Sequence, residues 1–136
     1  MASLPPAFGS ADSLAIAQLA LRGKAEGRPL VVLCARATDV QRLAAEIPVF
    51  APALRVALFP DWETLPYDTL SPHQDLVSDR LATMALLSRR GADVIVTAAT
   101  TALQRLAPVE YLAAHTFRFD RAQRLDEAQL RGQLTM

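Results

Sequence analysis

Three short apolar runs, each followed or preceded by a helical stretch, set the strongest limit on what this chain can fold into. Leu30-Val31-Val32-Leu33-Cys34-Ala35 is continuous and apolar, the pattern of a strand buried on both faces; Arg55-Val56-Ala57-Leu58-Phe59 reads as a second strand and Asp93-Val94-Ile95-Val96-Thr97 as a third, buried one. Between them lie segments with helix signals. Ser10 to Leu21 reads as a helix with Leu14, Ile16, Leu19 and Leu21 on a broad apolar surface, stopped at Gly23 or Gly27. Thr38 or Asp39 opens a second helix over about 39–47, which Pro48 ends. Ser71-Pro72-His73-Gln74 places serine at an N-cap, proline at the first helical position and glutamine at the third, which predicts a helix from Pro72 to about Arg90 with Gly91 as its stop. Two short helices follow, from Thr100 or Thr101 to Leu106 and from Pro108 to Ala114. Phe117-Arg118-Phe119 reads as a further strand, and Asp126 caps a last helix.

Strands alternating with helices at this spacing predict an α/β fold, a parallel sheet covered by helices on both faces. The expected organisation is one module over 1–116 and the start of a second over 117–136. The last helix has a thin apolar face, Leu130 and Leu134 with Leu125 before it, and no stop signal, which predicts packing against sequence beyond Met136.

Composition narrows the function classes. Apolar residues make up 51%, enough for a core, and the fourteen basic residues balance the fourteen acidic ones. Residues 1–70 and 71–136 are each close to neutral, so no half is a basic nucleic-acid-binding tail. No apolar run is long enough to span a bilayer and the first residues lack the features of a secretion signal, so a cytoplasmic protein is expected. One cysteine and two scattered histidines predict no metal site, and Cys34 reads as a core residue. His73 and His115 have no nucleophile elbow to serve, so no catalytic residue is assigned.

An α/β domain invites a test for a phosphate-binding loop, which requires Gly-x-x-x-x-Gly-Lys-Ser/Thr. Lys24 is the only lysine, and around it Gln18 and Ala25 occupy the positions of the first glycine and of the hydroxyl residue. That site fails. Gly9-Ser10-Ala11-Asp12-Ser13, just before the first helix, lays over Gly-Ser-Gly-Lys-Thr with Asp12 where the lysine belongs. It reads either as an ordinary helix start, with Asp12 favourable to the dipole, or as an eroded phosphate loop. Both readings predict no ATP binding.

Two further features stand out. Arg80 falls inside the apolar stripe formed by Leu76, Val77, Leu81, Met84 and Leu87. Its stem packs while its head reaches solvent, or it forms a structural ion pair with Asp61, Glu63 or Asp68, or it contacts a ligand directly. The loop from Phe59 to Leu70 carries the only tryptophan, Trp62, with Tyr67 and three acids. It reads as a lid over the end of the sheet or as a partner-binding patch, and its acidity argues against DNA contact.

Asp61-Trp62-Glu63-Thr64-Leu65-Pro66-Tyr67-Asp68, Ser71-Pro72-His73-Gln74-Asp75 and Ser78-Asp79-Arg80-Leu81 together resemble the N-terminal region of the bacterial transcription-repair coupling factor. Asp93-Val94-Ile95-Val96 and Gln123-Arg124-Leu125 add weaker support, and the resemblance runs from about Gly9 through nearly the whole chain. That family is a large ATP-dependent DNA translocase that displaces stalled RNA polymerase and recruits excision repair. Its N-terminal modules resemble the excinuclease B protein. The resemblance implies a degenerate helicase-like module, related to P-loop NTPases, without a working nucleotide site. ATP and Mg belong to the full-length motor, and RNA polymerase and DNA engage through other domains. The expected role is a non-catalytic scaffold supporting recruitment of the excinuclease A protein and contacts with other modules of the same protein. Excinuclease B carries a DNA-probing hairpin in the region matching Tyr67 to Leu76, and here too few residues join the flanks to hold one. In the family the second module binds excinuclease A. Arg118, Arg121, Arg124 and Arg131 fall near its start, with Arg121 and Arg124 as interaction candidates, although no family contact motif is complete. The rival reading is a stand-alone Rossmann-type protein that binds a nucleotide or small molecule.

Overall fold

The structure is a computed structural model that describes residues 9–62, 73–116, 124 and 126–134. Along the chain come α1 (Ala11–Ala25), β1 (Leu30–Cys34), α2 (Ala37–Phe50), β2 (Val56–Phe59), α3 (Gln74–Ser88), β3 (Val94–Ala98), α4 (Ala99–Ala102), α5 (Val109–His115) and α6 (Glu127–Leu134). The three strands form one parallel sheet in the order β1-β3-β2. Leu30 and Val56 flank Val94, and Val32 and Leu58 flank Val96. The α/β class and the parallel sheet flanked by helices are therefore as the sequence predicts. The expected strand at Phe117–Phe119 and the expected module boundary at 116/117 concern residues 117–123, which lie outside the described residues.

Side chains alternate across the sheet, so each strand presents two faces. On one face Cys34, Val94, Val96 and Ala98, with Leu30, Val32, Val56 and Leu58, pack against Ala17 and Ala20 of α1 and Val40, Leu43 and Ile47 of α2. Both helices present these residues at spacings of three and four, a single stripe in each case. The stripe of α1 is small residues with Ser13, while Leu14, Leu19 and Leu21, expected to form its apolar surface, are exposed. Burying Ile47, Val94 and Val96 completely stabilises the fold by about 1.5–3 kcal/mol for each side chain.

The opposite face is covered only in part. Ala57 and Phe59 of β2 and Thr97 of β3 are buried, α3 packs against β2, and the Thr83 hydroxyl of α3 donates to the Leu58 carbonyl at 3.0 Å. Val31 and Leu33 of β1 are 54% and 59% exposed. The expectation that β1 is buried on both faces is thus corrected. Among the described residues β1 lies at one edge of the sheet, and α3 packs against β2 at the other.

Helix boundaries differ from expectation at a proline and at a histidine. α2 begins after Arg36, and it runs through Pro48 to Phe50. Proline removes one hydrogen bond, but near the last turn that loss does not prevent the helix from closing, and Ala51 N–H still reaches the Ile47 carbonyl at 3.0 Å. α3 is capped by His73, whose Nδ1 accepts from the Asp75 N–H at 3.3 Å; the expected cap Ser71 and Pro72 lie outside the described residues. The α3 stop is a Schellman turn, with Gly91 N–H bonded to the Leu86 carbonyl and Arg90 N–H to the Leu87 carbonyl, both at 2.9 Å. Arg90 takes the left-handed position at φ 52°, which a glycine usually fills. One residue later Gly91 passes close to Leu86: a Cβ there would lie 3.0 Å from the Leu86 carbonyl oxygen and 2.4 Å from its Cδ1, so the Leu86 side chain would have to move. The last helix follows its signal: Asp126 Oδ1 accepts from the Ala128 N–H at 3.0 Å.

Asp93, just before β3, ties the amino-terminal ends of the strands together. Its carboxylate is 6% exposed. It accepts from Lys24 Nζ at 2.9 Å, from the Arg55 backbone N–H at 2.8 Å, and from Arg55 Nε and Nη2 at 3.2 and 2.8 Å. Its backbone N–H donates to the Arg55 carbonyl at 2.8 Å, and its carbonyl accepts from the Leu30 N–H at 2.9 Å. Lys24 also donates to the Ala53 carbonyl at 2.6 Å.

Two stability outcomes follow from these contacts. Asp93→Ala strips a buried charged acceptor from several donors and lowers stability by about 2–3 kcal/mol in urea unfolding. Hydrogen bonds from Arg55, then from Lys24, hold the Asp93 carboxyl far below the usual carboxylate range. Its contribution is full above about pH 4 and is lost as pH falls toward the folded value, and in Asp93→Ala this acid-labile component disappears. Arg90→Gly relieves the left-handed backbone and raises stability by about 1 kcal/mol, read as a higher melting temperature.

Candidate functional site

The first turn of α1 carries the residues that overlay a phosphate loop. Gly9 has φ 59°, a conformation glycine adopts without strain, and Ser10 stands at the N-cap without a side-chain cap bond. Asp12 accepts from Arg42 Nη1 and Nη2 at 3.1 and 2.6 Å, a two-point grip, and from the Ser13 N–H at 2.7 Å. Ser13 is fully buried, and its hydroxyl donates to Glu46 Oε2 at 2.5 Å. Arg42 also reaches Glu46 at 3.0 Å, an i,i+4 pair on α2. The hydrogen bond from Arg42 pulls the Asp12 carboxyl below its ordinary value, and that from Ser13 does the same to Glu46. Arg42 is pushed the other way, chiefly by Asp12. The helix start where an incoming phosphate would find free N–H groups therefore holds two ionised carboxylates braced by an arginine. Nearby, Cys34 is buried, and burial pushes its thiol above the ordinary range, away from the thiolate a nucleophile needs.

A second cluster lies beyond the carboxyl end of β2. Arg80 is 1% exposed and is the buried residue of α3, whereas Leu81 of the expected apolar stripe is exposed. Its guanidinium lies 4.3 Å from the Phe59 ring centroid and 4.2 Å from that of Trp62, between two aromatic faces. Nη1 donates to the Pro60 carbonyl at 2.5 Å. Burial lowers the Arg80 pKa and the Asp61 carboxylate opposes that shift, so Asp61 acts on it through charge. Asp61 Oδ1 is engaged by the Trp62 N–H at 2.8 Å and by Gln104 Nε2 at 2.7 Å. Glu63 and Asp68, the other expected partners, lie outside the described residues. Arg80 thus neither reaches solvent nor relies on one carboxylate among the described residues. Ring faces and a carbonyl hold it.

Of the remaining candidates, Trp62 is half-buried against Arg80 and Arg124 is exposed, while Tyr67 and Arg121 lie outside the described residues. The Gly9–Ser13 turn and the Arg80 cluster belong to different helices, and no described interaction joins them. Arg42, Glu46, Phe59, Gln104 and Asp93 were missed by sequence reasoning. The Arg42–Glu46 spacing was a readable helix pair, and an aspartate heading a buried strand called for a cationic partner. Phe59 was read only as the end of a strand and the start of the Trp62 loop, and nothing in the sequence marked Gln104. Among the described residues no group of three or more His, Cys, Asp or Glu is placed to hold a metal, and no helix is long and apolar enough to cross a membrane.

No protein-family model matches the sequence. Curated proteins do match it. The transcription-repair-coupling factor of Escherichia coli is 36% identical over 126 residues, covering 93% of this chain. The chain matches a segment of the transcription-repair-coupling factors. The Haemophilus influenzae factor is 42% identical over 79 residues, and that of Mycobacterium tuberculosis 37% over 107, covering 58% and 73% of this chain. The chain spans only 11%, 7% and 8% of the lengths of these three coupling factors.

The Asp12–Arg42–Glu46 brace predicts acid sensitivity. Both carboxyls are depressed in the folded chain, so their support is complete above about pH 4.5 and is lost as pH falls through the folded values. In Arg42→Ala the melting temperature falls at neutral pH and its decline toward pH 3 becomes shallower. Arg80→Ala empties a buried slot between two rings and lowers stability by about 2–4 kcal/mol, with a red shift of the emission of Trp62, the only tryptophan.

Proposed function

We propose that this chain is a non-catalytic scaffold and recruitment module of a transcription-repair-coupling factor, built on a helicase-like framework whose phosphate loop has eroded. The observation that carries the reading is Asp12. It stands where a phosphate loop places its lysine, and Arg42 and Ser13 hold it at the start of α1 beside Glu46. A triphosphate at that turn would meet two carboxylates instead of an ammonium group. The module on this reading binds no cofactor, and ATP and Mg belong to the motor of the full-length protein. Its partners are the excinuclease A protein and other modules of the same protein. RNA polymerase and DNA are engaged by domains elsewhere. The names of the matched relatives support the repair role, and the small share of their length that is matched agrees with a fragment outside the motor.

Isothermal titration of the chain with Mg-ATP and with NAD gives no heat of binding up to millimolar ligand on this reading. Micromolar binding of either ligand would favour the stand-alone nucleotide-binding protein instead. The recruitment role is tested in a full-length coupling factor carrying this segment. Trp62→Ala with Tyr67→Ala changes basal ATPase activity or binding of excinuclease A, and if both stay at wild-type levels the loop is not a contact surface.

A further inference from the structure

At the amino-terminal ends of the strands lies a cleft of about 630 Å³. Pro29, Arg55 and Asp93 in its walls immediately precede β1, β2 and β3, and Lys24, Arg28 and Arg90 complete its charged lining. Four cationic residues and one acidic residue therefore line it. Lys24 and Arg55 are oriented by Asp93. Arg28 pairs with Glu26 of its own turn in an exposed contact, which holds it weakly. Arg90 makes no ion pair among the described residues, and the left-handed Schellman turn sets the point from which its side chain projects.

We propose that this cleft is a docking site for an acidic segment of a protein partner, a stretch bearing two or three clustered carboxylates. Three of its four cations are arginines, whose planar forks grip carboxylates at two points. Five of its eight lining residues are charged and none is aromatic, whereas organic cofactor pockets are lined mostly by apolar and aromatic side chains. It opens at the amino-terminal ends of a parallel sheet, whereas nucleotides bind at the carboxyl ends. An extended nucleic acid is the poorer match. DNA-binding surfaces neutralise about 6–10 phosphates along a stripe, and this chain is neutral overall, with four cations gathered in one concavity. The inference is independent of the α1 turn and does not require the recruitment role proposed above.

Fluorescence anisotropy of the 136-residue chain with fluorescein-labelled octaglutamate at low salt tests it. The peptide binds, and Arg28→Glu with Arg90→Glu weakens binding about tenfold or more, while Arg105→Glu, outside the cleft, binds as the wild type does. Arg28→Gln with Arg90→Gln gives a smaller loss in the same direction, and it serves as the variant to read if the charge reversal unfolds the chain. The proposal is overturned if octaglutamate does not bind, or if Arg105→Glu weakens it equally, which marks diffuse charge attraction. It is also overturned in favour of a phosphate ligand if tripolyphosphate or a duplex DNA binds more tightly than octaglutamate through Arg28 and Arg90.

Discussion

The fold hangs on a carboxylate with almost no access to water. Asp93 precedes the central strand, and each of its donors comes from a different stretch: Lys24 from the end of α1, Arg55 from the residue before β2. Its backbone continues the ladder to both neighbours, Leu30 on one side and Arg55 on the other. A lone carboxylate at this depth would be costly, and two cations with a backbone N–H satisfy it. Apolar packing between α1, α2 and the sheet is non-directional and would tolerate sliding. The Asp93 contacts are directional, and they set where the three strands begin relative to one another.

Much of this architecture was legible. Short apolar runs around Val31, Val56 and Val94 located the strands to within a residue or two, and their separation by helical segments implied parallel pairing. The failures have physical causes. β1 reads as doubly buried because Val31 and Leu33 are apolar, but period and composition cannot tell whether a neighbouring layer exists to cover them. The buried stripe of α1 was hidden because its inward residues are Ser13, Ala17 and Ala20, while its leucines point outward. Proline vetoes a helix only within its interior, so Pro48 near the last turn of α2 does not end it. His73 is a cap that sequence preference passes over, because histidine seldom supplies one.

The site residues divide in the same way. Arg80 drew notice because a charge on an apolar stripe needs an explanation, and the explanation lies in two rings and a carbonyl brought in from the far end of β2. Such partners are long-range and no local pattern encodes them. Asp12 was singled out for its place in an overlay. Its contacts to Arg42, thirty residues away, show that the carboxylate is built into the junction of α1 and α2. A phosphate loop leaves its helix start open for a ligand, whereas here the protein closes that start with its own charges. The same economy of charge applies at the other end of the sheet, where Asp93 consumes two of the four cations around it.

Lys24 has a consequence outside folding. It is the only lysine of the sequence, so the chain has a single side-chain amine open to acylation. Its ammonium group is partly exposed yet engaged with Asp93 and the Ala53 carbonyl. Acylation would discharge that group and withdraw one of the donors on which the strand starts depend. Amine-directed labelling would therefore act on this protein at a structural joint, and the rate at which Lys24 reacts would report how often that joint opens.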